Sequence, residues 1–157
     1  MKRIWELLGL VILCSAVAFW MTRTPAAPPS PPPEQPERLS FNGIFLGQAR
    51  TELEQRLGPP NYHLQPWLLQ WEKERGNFTR VAFDEQDRVK GVEGVGQLLR
   101  GPRVLTAFGR PRAEMLANLG EPIHAEGDVY RYNGITISCS ELVGMITLGD
   151  VSPPSDG

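Results

Sequence analysis

The feature that most constrains the fold of this chain is an internal repeat with a spacing of 62 residues. Residues 46–60 match residues 108–122 without a gap, and six of the fourteen positions from Gly47 to Pro60 are identical in the two copies. The identical pairs are Gly47/Gly109, Arg50/Arg112, Glu52/Glu114, Leu57/Leu119, Gly58/Gly120 and Pro60/Pro122. Roughly one identity would be expected at ordinary residue frequencies. The sequence therefore indicates an internal duplication.

Each copy of the repeated stretch predicts a short amphipathic helix with a defined end. Apolar residues recur at helical spacing on one face, and charged residues occupy the other. Gly58 and Gly120 can adopt the left-handed conformation that closes a helix, and the prolines that follow prevent continuation. Ala49 stands where a Ser or Thr cap is usual, which forgoes about 1 kcal/mol. We expect equivalent helices over 49–57 and 111–119.

Three segments of strand character follow each helix, because apolar and polar residues alternate in them. They are 67–72, 79–83 and 88–93 in the first unit and 129–132, 135–137 and 143–148 in the second. Asn133-Gly134 is a tight hairpin signal that shortens the second unit. We align 135–137 with 81–83, which places Cys139 level with Glu85. Gly94–Gly101 is expected to be a connector.

The predicted fold class is α+β, with two tandem α-βββ units. A unit of about fifty residues with one helix could barely bury a core by itself. Joined edge to edge in one antiparallel sheet, the two units would cover each other's open strand and share a layer of helices on one face. The expected organisation is a signal peptide or anchor (1–24), a proline-rich linker (25–38), two repeats (39–95 and 96–149) and a tail (150–157).

The N-terminus indicates export, because Lys2 and Arg3 precede a long apolar run. One interpretation is a signal peptide cut after Ala18, which would give a secreted protein. The other is an uncleaved anchor helix over residues 4–21, about 18 residues long, that leaves the following domain outside the cytoplasm. The proline-rich segment Pro25–Pro36 has seven prolines in twelve residues. It would extend as a polyproline II spacer over roughly 35–40 Å.

Composition and motifs provide little support for catalysis, metal binding or nucleic-acid binding. A net charge of −2 gives no case for nucleic acid. No nucleophile elbow, phosphate loop or zinc motif occurs, so we predict no catalytic residue, cofactor or metal. His63 and His124 could face each other and bind a metal, but the favoured interpretation is two exposed loop histidines. Cys139 is either a reactive thiol or an inward structural residue, and we favour the latter.

Aromatic residues are the candidate partner-binding residues. They are Tyr62, Trp67, Trp71, Tyr130 and Tyr132. Exposed Trp and Tyr on the free face of a sheet would suit a protein partner. The alternative is that Trp71 and Tyr132 pack under the helices. Trp67 and Tyr130 share those strand faces, so the same alternation would expose or bury them together.

A set of short motifs resembles the SmpA/OmlA (BamE-like) domain. They are Ile44-x-Leu46-Gly47, Glu52-Leu53, Leu57-Gly58-Pro59-Pro60, Trp71, Val81-x-Phe83-Asp84 and Arg88-Val89. The duplication of this pattern between Phe41 and about Gly149 resembles the tandem-repeat beta-lactamase inhibitor protein (BLIP-like) fold. The resemblance implies a non-enzymatic protein-binding module of the cell envelope. A structural envelope-assembly or spacer protein is the alternative, and a thiol- or metal-dependent activity is a weaker third hypothesis.

Overall fold

Two short helices form where the repeated stretch predicts them, in a computed structural model that describes residues 37–153. Helix α1 spans Arg50–Leu57 and helix α2 spans Arg112–Leu119. Each ends at a glycine of positive φ, Gly58 at 80° and Gly120 at 79°, as the sequence predicts. The predicted apolar helix and proline-rich linker lie outside the described residues. Neither described helix is long and apolar enough to cross a bilayer.

The start of each helix is held by a tertiary contact rather than by a side-chain cap. Neither Ala49 nor Pro111 makes a side-chain capping hydrogen bond. Instead, the N–H of the first helical residue donates to a carbonyl oxygen in a strand-to-strand turn, at 2.9 Å in both helices. The acceptors are Asp87 for α1 and Glu141 for α2. Each helix is therefore fixed against the turn of its own half.

The described strands form two antiparallel sheets, so the α+β class is confirmed. The strands are β1 (Leu39–Phe41), β2 (Tyr62–Gln65), β3 (Leu68–Glu74), β4 (Asn77–Phe83), β5 (Val89–Gly94), β6 (Gln97–Arg100), β7 (Arg103–Ala107), β8 (His124–Glu126), β9 (Val129–Tyr132), β10 (Ile135–Cys139) and β11 (Val143–Gly149). One sheet has eight strands in the order β2-β3-β4-β5-β11-β10-β9-β8. The other has the order β1-β6-β7.

The sequence did not predict strands β2 and β8 or the small sheet. All residues of β2 and β8 are exposed, so neither strand has the half-buried face that was used to predict the others. The prediction of a connector over Gly94–Gly101 is wrong, because β6 lies within it and pairs with β1 and β7. A four-residue strand is too short for its alternation to be recognised. Each half therefore contributes four strands, rather than three, to the large sheet.

The core lies on one face of the eight-stranded sheet. A row of directly opposed residues crosses the sheet: His63, Leu69, Val81, Val92, Leu148, Ile135 and Tyr132. The five in the middle of this row are buried. Leu53 of α1, Met115 of α2 and Phe41 of β1 belong to the same buried cluster. The helices and the small sheet thus cover one face, which we call the inner face.

The strand pairing places Cys139 two residues away from the position that the predicted alignment of the repeats gives it. Cys139 lies opposite Val143, as Phe83 lies opposite Val89. Cys139 therefore corresponds to Phe83 and not to Glu85. The sequence alignment placed the difference in length in one hairpin, whereas two turns differ between the halves. A shift of two residues preserves strand alternation, so the predicted inward faces remain correct.

Thr106 allows the cost of an unpaired hydroxyl in this core to be measured. Its side chain is buried, and its hydroxyl oxygen has no hydrogen-bond partner among the described residues. A buried unpaired hydroxyl costs about 1–3 kcal/mol. We expect Thr106→Val to raise the free energy of unfolding by about 1 kcal/mol, measured by urea denaturation. Thr79→Val is the control, because the Thr79 hydroxyl accepts a bond from the Asn42 amide at 3.3 Å. A gain in Thr79→Val but not in Thr106→Val would contradict this interpretation.

Candidate functional site

A second row of directly opposed residues crosses all eight strands of the large sheet. In order they are Tyr62, Gln70, Arg80, Glu93, Thr147, Thr136, Arg131 and His124. Directly opposed residues point to the same face of a sheet, and this row alternates with the buried one. We call these residues the outer row and their face the outer face. The outer row is polar apart from the ring of Tyr62.

The middle of the outer face is open to solvent. Each outer-row residue is half-buried or exposed, in contrast to the buried row beside it. Within residues 37–153, chain covers one border of this face, where the backbone of Asp150 lies against Gly91. There the Lys90 ammonium donates to the Ser152 carbonyl oxygen at 2.6 Å. The N–H of Ser152 donates to the Asp150 carboxylate and lowers the pKa of Asp150. Asp150 and Ser152 thus lie at the border of the outer face.

Arg80 lies near the centre of the first half of this row and is held on three sides. Its Nε donates to the Gln70 side-chain oxygen at 2.9 Å, and its Nη1 donates to Glu93 Oε1 at 3.2 Å. The guanidinium carbon lies 4.7 Å from the centre of the Phe78 ring. The Arg80 side chain is nevertheless 36% exposed, whereas that of Glu93 is 15% exposed. The guanidinium is therefore fixed in position but accessible.

The five aromatic residues singled out by the sequence are not brought together on one surface. Trp71 is 6% exposed and Tyr130 is 9% exposed, so neither is available to a partner. Tyr132 is half-buried, and burial raises the pKa of its hydroxyl. Trp71 and Tyr132 pack under the helices, as the alternative interpretation holds. Trp67 is half-buried while Tyr130 is buried, so the prediction that the two residues would be exposed or buried together is wrong.

Tyr62 is the one aromatic candidate that is largely exposed, at 51%. It belongs to the outer row, at the edge of the sheet. Trp67 lies near the C-terminal tail, with the Lys90 ammonium 5.6 Å from the centre of its ring. Of the sequence-derived candidates, Tyr62 therefore remains on the candidate surface, and Trp67 lies partly covered at its border.

The two histidines cannot share a metal ion. His63 lies on β2 and His124 on β8, which are the two outermost strands of the sheet. Seven strand spacings separate them, or roughly 33 Å. They lie on edge strands rather than in the predicted loops, and both are exposed. No group of three His, Cys, Asp or Glu residues suitable for a metal occurs between residues 37 and 153.

Cys139 is 1% exposed, which confirms the prediction that it points inward. Burial raises the pKa of its thiol above the ordinary value of 9.0. Because the thiolate is the reactive form of cysteine, both burial and the raised pKa oppose reactivity. Cys139 therefore acts as a small apolar residue at the end of β10.

The raised pKa of Cys139 predicts a pH dependence of stability. The unfolded chain loses the thiol proton at a lower pH than the folded chain does. The stability linked to this thiol is thus complete below about pH 9 and is lost as the pH rises through the folded-state pKa. Between pH 7 and pH 10, we expect the urea midpoint to fall further in the wild type than in Cys139→Ala. Tyr132 titrates in both proteins and serves as an internal control. Equal falls would contradict the prediction.

A cleft of about 660 Å³ lies apart from the outer row, between the end of α1 and the start of β4. Its floor includes Ile44 and Trp71, and amide side chains stand at its rim. Two of these amides already hold backbone in place. Asn42 Oδ1 accepts from the N–H of Gln97 at 2.9 Å, and Asn61 Oδ1 accepts from the N–H of Glu72 at 2.6 Å. Two of the amides at the rim are thus committed to the fold, and we take the outer row as the candidate site.

Six residues of the outer row were not singled out from the sequence. They are Gln70, Arg80, Glu93, Arg131, Thr136 and Thr147. Each has a buried residue directly beside it in its strand, so alternation provided a signal that they face away from the core. That signal does not show that they form one continuous row.

Comparison of the chain with protein-family models, with curated proteins and with solved structures finds no match in any of the three.

Proposed function

We propose that this chain is an exported, non-enzymatic protein-binding module of the cell envelope. In this proposal residues 4–21 anchor it to the membrane, the proline-rich segment acts as a stiff spacer, and the outer face grips a protein partner. The observation that carries the proposal is the outer row itself. Eight directly opposed side chains, seven of them polar, stand on a face that the helices and the small sheet leave open.

The size of the outer face supports a protein ligand. Seven strand spacings give it a width of roughly 33 Å. Strands of three to seven residues make it roughly 10–23 Å deep. This area is comparable to the approximately 800 Å² that each partner buries in a standard protein–protein interface. The surface is a broad plane rather than a pocket, which suits a protein better than a small molecule.

We further propose that the broad face arose by duplication of one α-β unit. Two features at equivalent sites support this. The N–H of Gly47 donates to Val89 at 2.7 Å, and the N–H of Gly109 donates to Val143 at 2.8 Å. The Trp71 indole N–H donates to the carbonyl oxygen of Gly58, directly after α1, while the Tyr132 hydroxyl lies 3.4 Å from the carbonyl oxygen of Gly120, directly after α2. Strands β5 and β11 then join the halves edge to edge.

The resemblance to the SmpA/OmlA (BamE-like) domain and to the BLIP-like fold implies the same class of function, and it stays a prediction. The alternative, a structural envelope-assembly or spacer protein, makes a different demand on the chain. Its function would depend on the anchor and spacer, and substitutions on the outer face would not change it.

Site-specific photo-crosslinking in the producing cell tests the proposal. A photoreactive amino acid replaces Thr136 or Gln70 on the outer face, or Thr51 or Gln55 on the exposed side of α1. We expect a discrete adduct with another protein from the outer-face positions and none from the helix positions. Thr147→Glu should remove the adduct by placing a long charged side chain in the middle of the row, whereas Thr51→Glu should leave it unchanged. Adducts from α1 alone, or adducts that Thr147→Glu leaves unchanged, would overturn the proposal.

A further inference from the structure

We infer that the partner of the outer face presents carboxylate groups, and that Arg80 and Arg131 are the two residues that bind them. This inference rests on the proposed function and adds the chemistry of the partner. It follows from the way in which the two guanidinium groups stand on the same row.

The contacts of Arg80 leave donors free for a ligand. A guanidinium has five N–H donors in a fixed plane. Gln70 and Glu93 accept one hydrogen bond each, so three donors remain. The Phe78 ring covers one face of the guanidinium plane. Because these contacts already restrict the side chain, little further rotamer freedom is lost on binding. Arginine is also one of the residue types enriched among those that dominate binding energy.

Arg131 provides a second cationic point on the same row. It lies on β9 between Thr136 and His124, and its side chain is exposed. Its guanidinium forms no ion pair with any other residue in the part of the chain that the structure describes. Four strand spacings separate Arg80 from Arg131, or roughly 19 Å along the row.

The charges between and beside these arginines favour an acidic partner. Glu93 is the one carboxylate of the outer row, and it is paired with Arg80 and less exposed than Arg80 is. Thr147 and Thr136 are neutral. At the edge of the sheet, the exposed Glu126 lies 3.7 Å from His124. The accessible charge inside the row is therefore positive at two points, although the whole chain carries a net charge of −2. Opposite charges on a partner would fix its register on the sheet.

A defined acidic peptide tests this inference on the full chain in a neutral detergent. An octaglutamate peptide spans about 27 Å when extended, which is enough to reach both arginines. We expect fluorescence anisotropy to show binding of the labelled peptide that weakens as salt is added. Arg80→Gln and Arg131→Gln should each reduce the affinity by about threefold or more, and the double variant by about tenfold or more. An octalysine peptide should show no such binding.

Arg110→Gln is the matched control, because it removes the same charge from an exposed arginine that precedes α2 and pairs with Glu114 at 3.5 Å. Equal weakening by Arg110→Gln and Arg80→Gln would show diffuse attraction and overturn the inference. An oligothymidylate of eight nucleotides could also bind more tightly than octaglutamate, with the same dependence on both arginines. That result would show that the arginines bind phosphate rather than carboxylate, and it would also overturn the inference. If the wild-type protein does not bind octaglutamate but still forms the Thr136 adduct, the inference is wrong and the proposed function stands. Urea midpoints of each variant exclude loss of the fold as the cause.

Discussion

Trp71→Ala is expected to reduce the free energy of unfolding by about 3–5 kcal/mol, the usual cost of truncating a buried aromatic side chain. Trp71 lies on the inner face of β3 and is 6% exposed. Its indole N–H donates to the carbonyl oxygen of Gly58 at 2.9 Å. One side chain thus fills the core and holds the end of α1 against the sheet. Urea denaturation monitored by far-UV circular dichroism would measure the loss.

Two further variants separate the contributions of Trp71. Trp71→Phe retains most of the apolar contact and leaves the Gly58 carbonyl without its donor. Its expected cost is about 1–2 kcal/mol. Trp67→Ala removes the same type of side chain from a half-buried position beside Lys90, and its cost should be clearly smaller than that of Trp71→Ala. Equal losses from the two alanine variants would show that Trp71 does not anchor the inner face.

Gly94→Ala is expected to be the second most damaging substitution, with a loss of about 3 kcal/mol from backbone strain and overpacking combined. Gly94 ends β5, between β4 and β11. Its φ of 147° is a conformation that residues with a side chain rarely adopt. A Cβ atom there would collide with the carbonyl oxygen of Phe78. That carbonyl already accepts the N–H of Val95 at 3.0 Å, so it cannot move without breaking the bond.

Gly144→Ala is the matched control for Gly94→Ala. Gly144 lies in β11 and has no positive φ, and its nearest neighbour to an added Cβ is the Ser138 carbonyl oxygen at 3.2 Å. We expect its stability to remain within about 1 kcal/mol of the wild type. Urea midpoints of the two variants measured together provide the comparison. A Gly94→Ala protein as stable as Gly144→Ala would contradict the strain argument. Because β5 joins the two halves, Gly94→Ala should also weaken partner binding through the outer face.

The local features of this fold could be predicted because they depend on neighbours in the chain. Gly58 and Gly120 end their helices where the repeated stretch predicts, since a left-handed glycine followed by proline leaves few other conformations. The inward orientation of Cys139 followed from strand alternation, which is fixed by the backbone and survives the two-residue error in alignment. The α+β class followed from two spacings of apolar residues, the helical spacing in the repeated stretch and the alternation in the strand segments.

The candidate site could not be predicted because it depends on pairing between distant segments. Alternation shows which residues of one strand share a face, but it does not show which strand lies beside it or which face the helices cover. Arg80 and Arg131 are on the same row only because β5 pairs with β11 in one register, with Glu93 opposite Thr147. The pairing of β6 with β1 likewise joins segments more than fifty residues apart. The sequence by itself therefore determined the helices, their ends and the apolar faces of the longer strands. The tertiary structure alone decided the edge strands, the small sheet and the outer row, because strand register is set by packing between distant residues rather than by local preference.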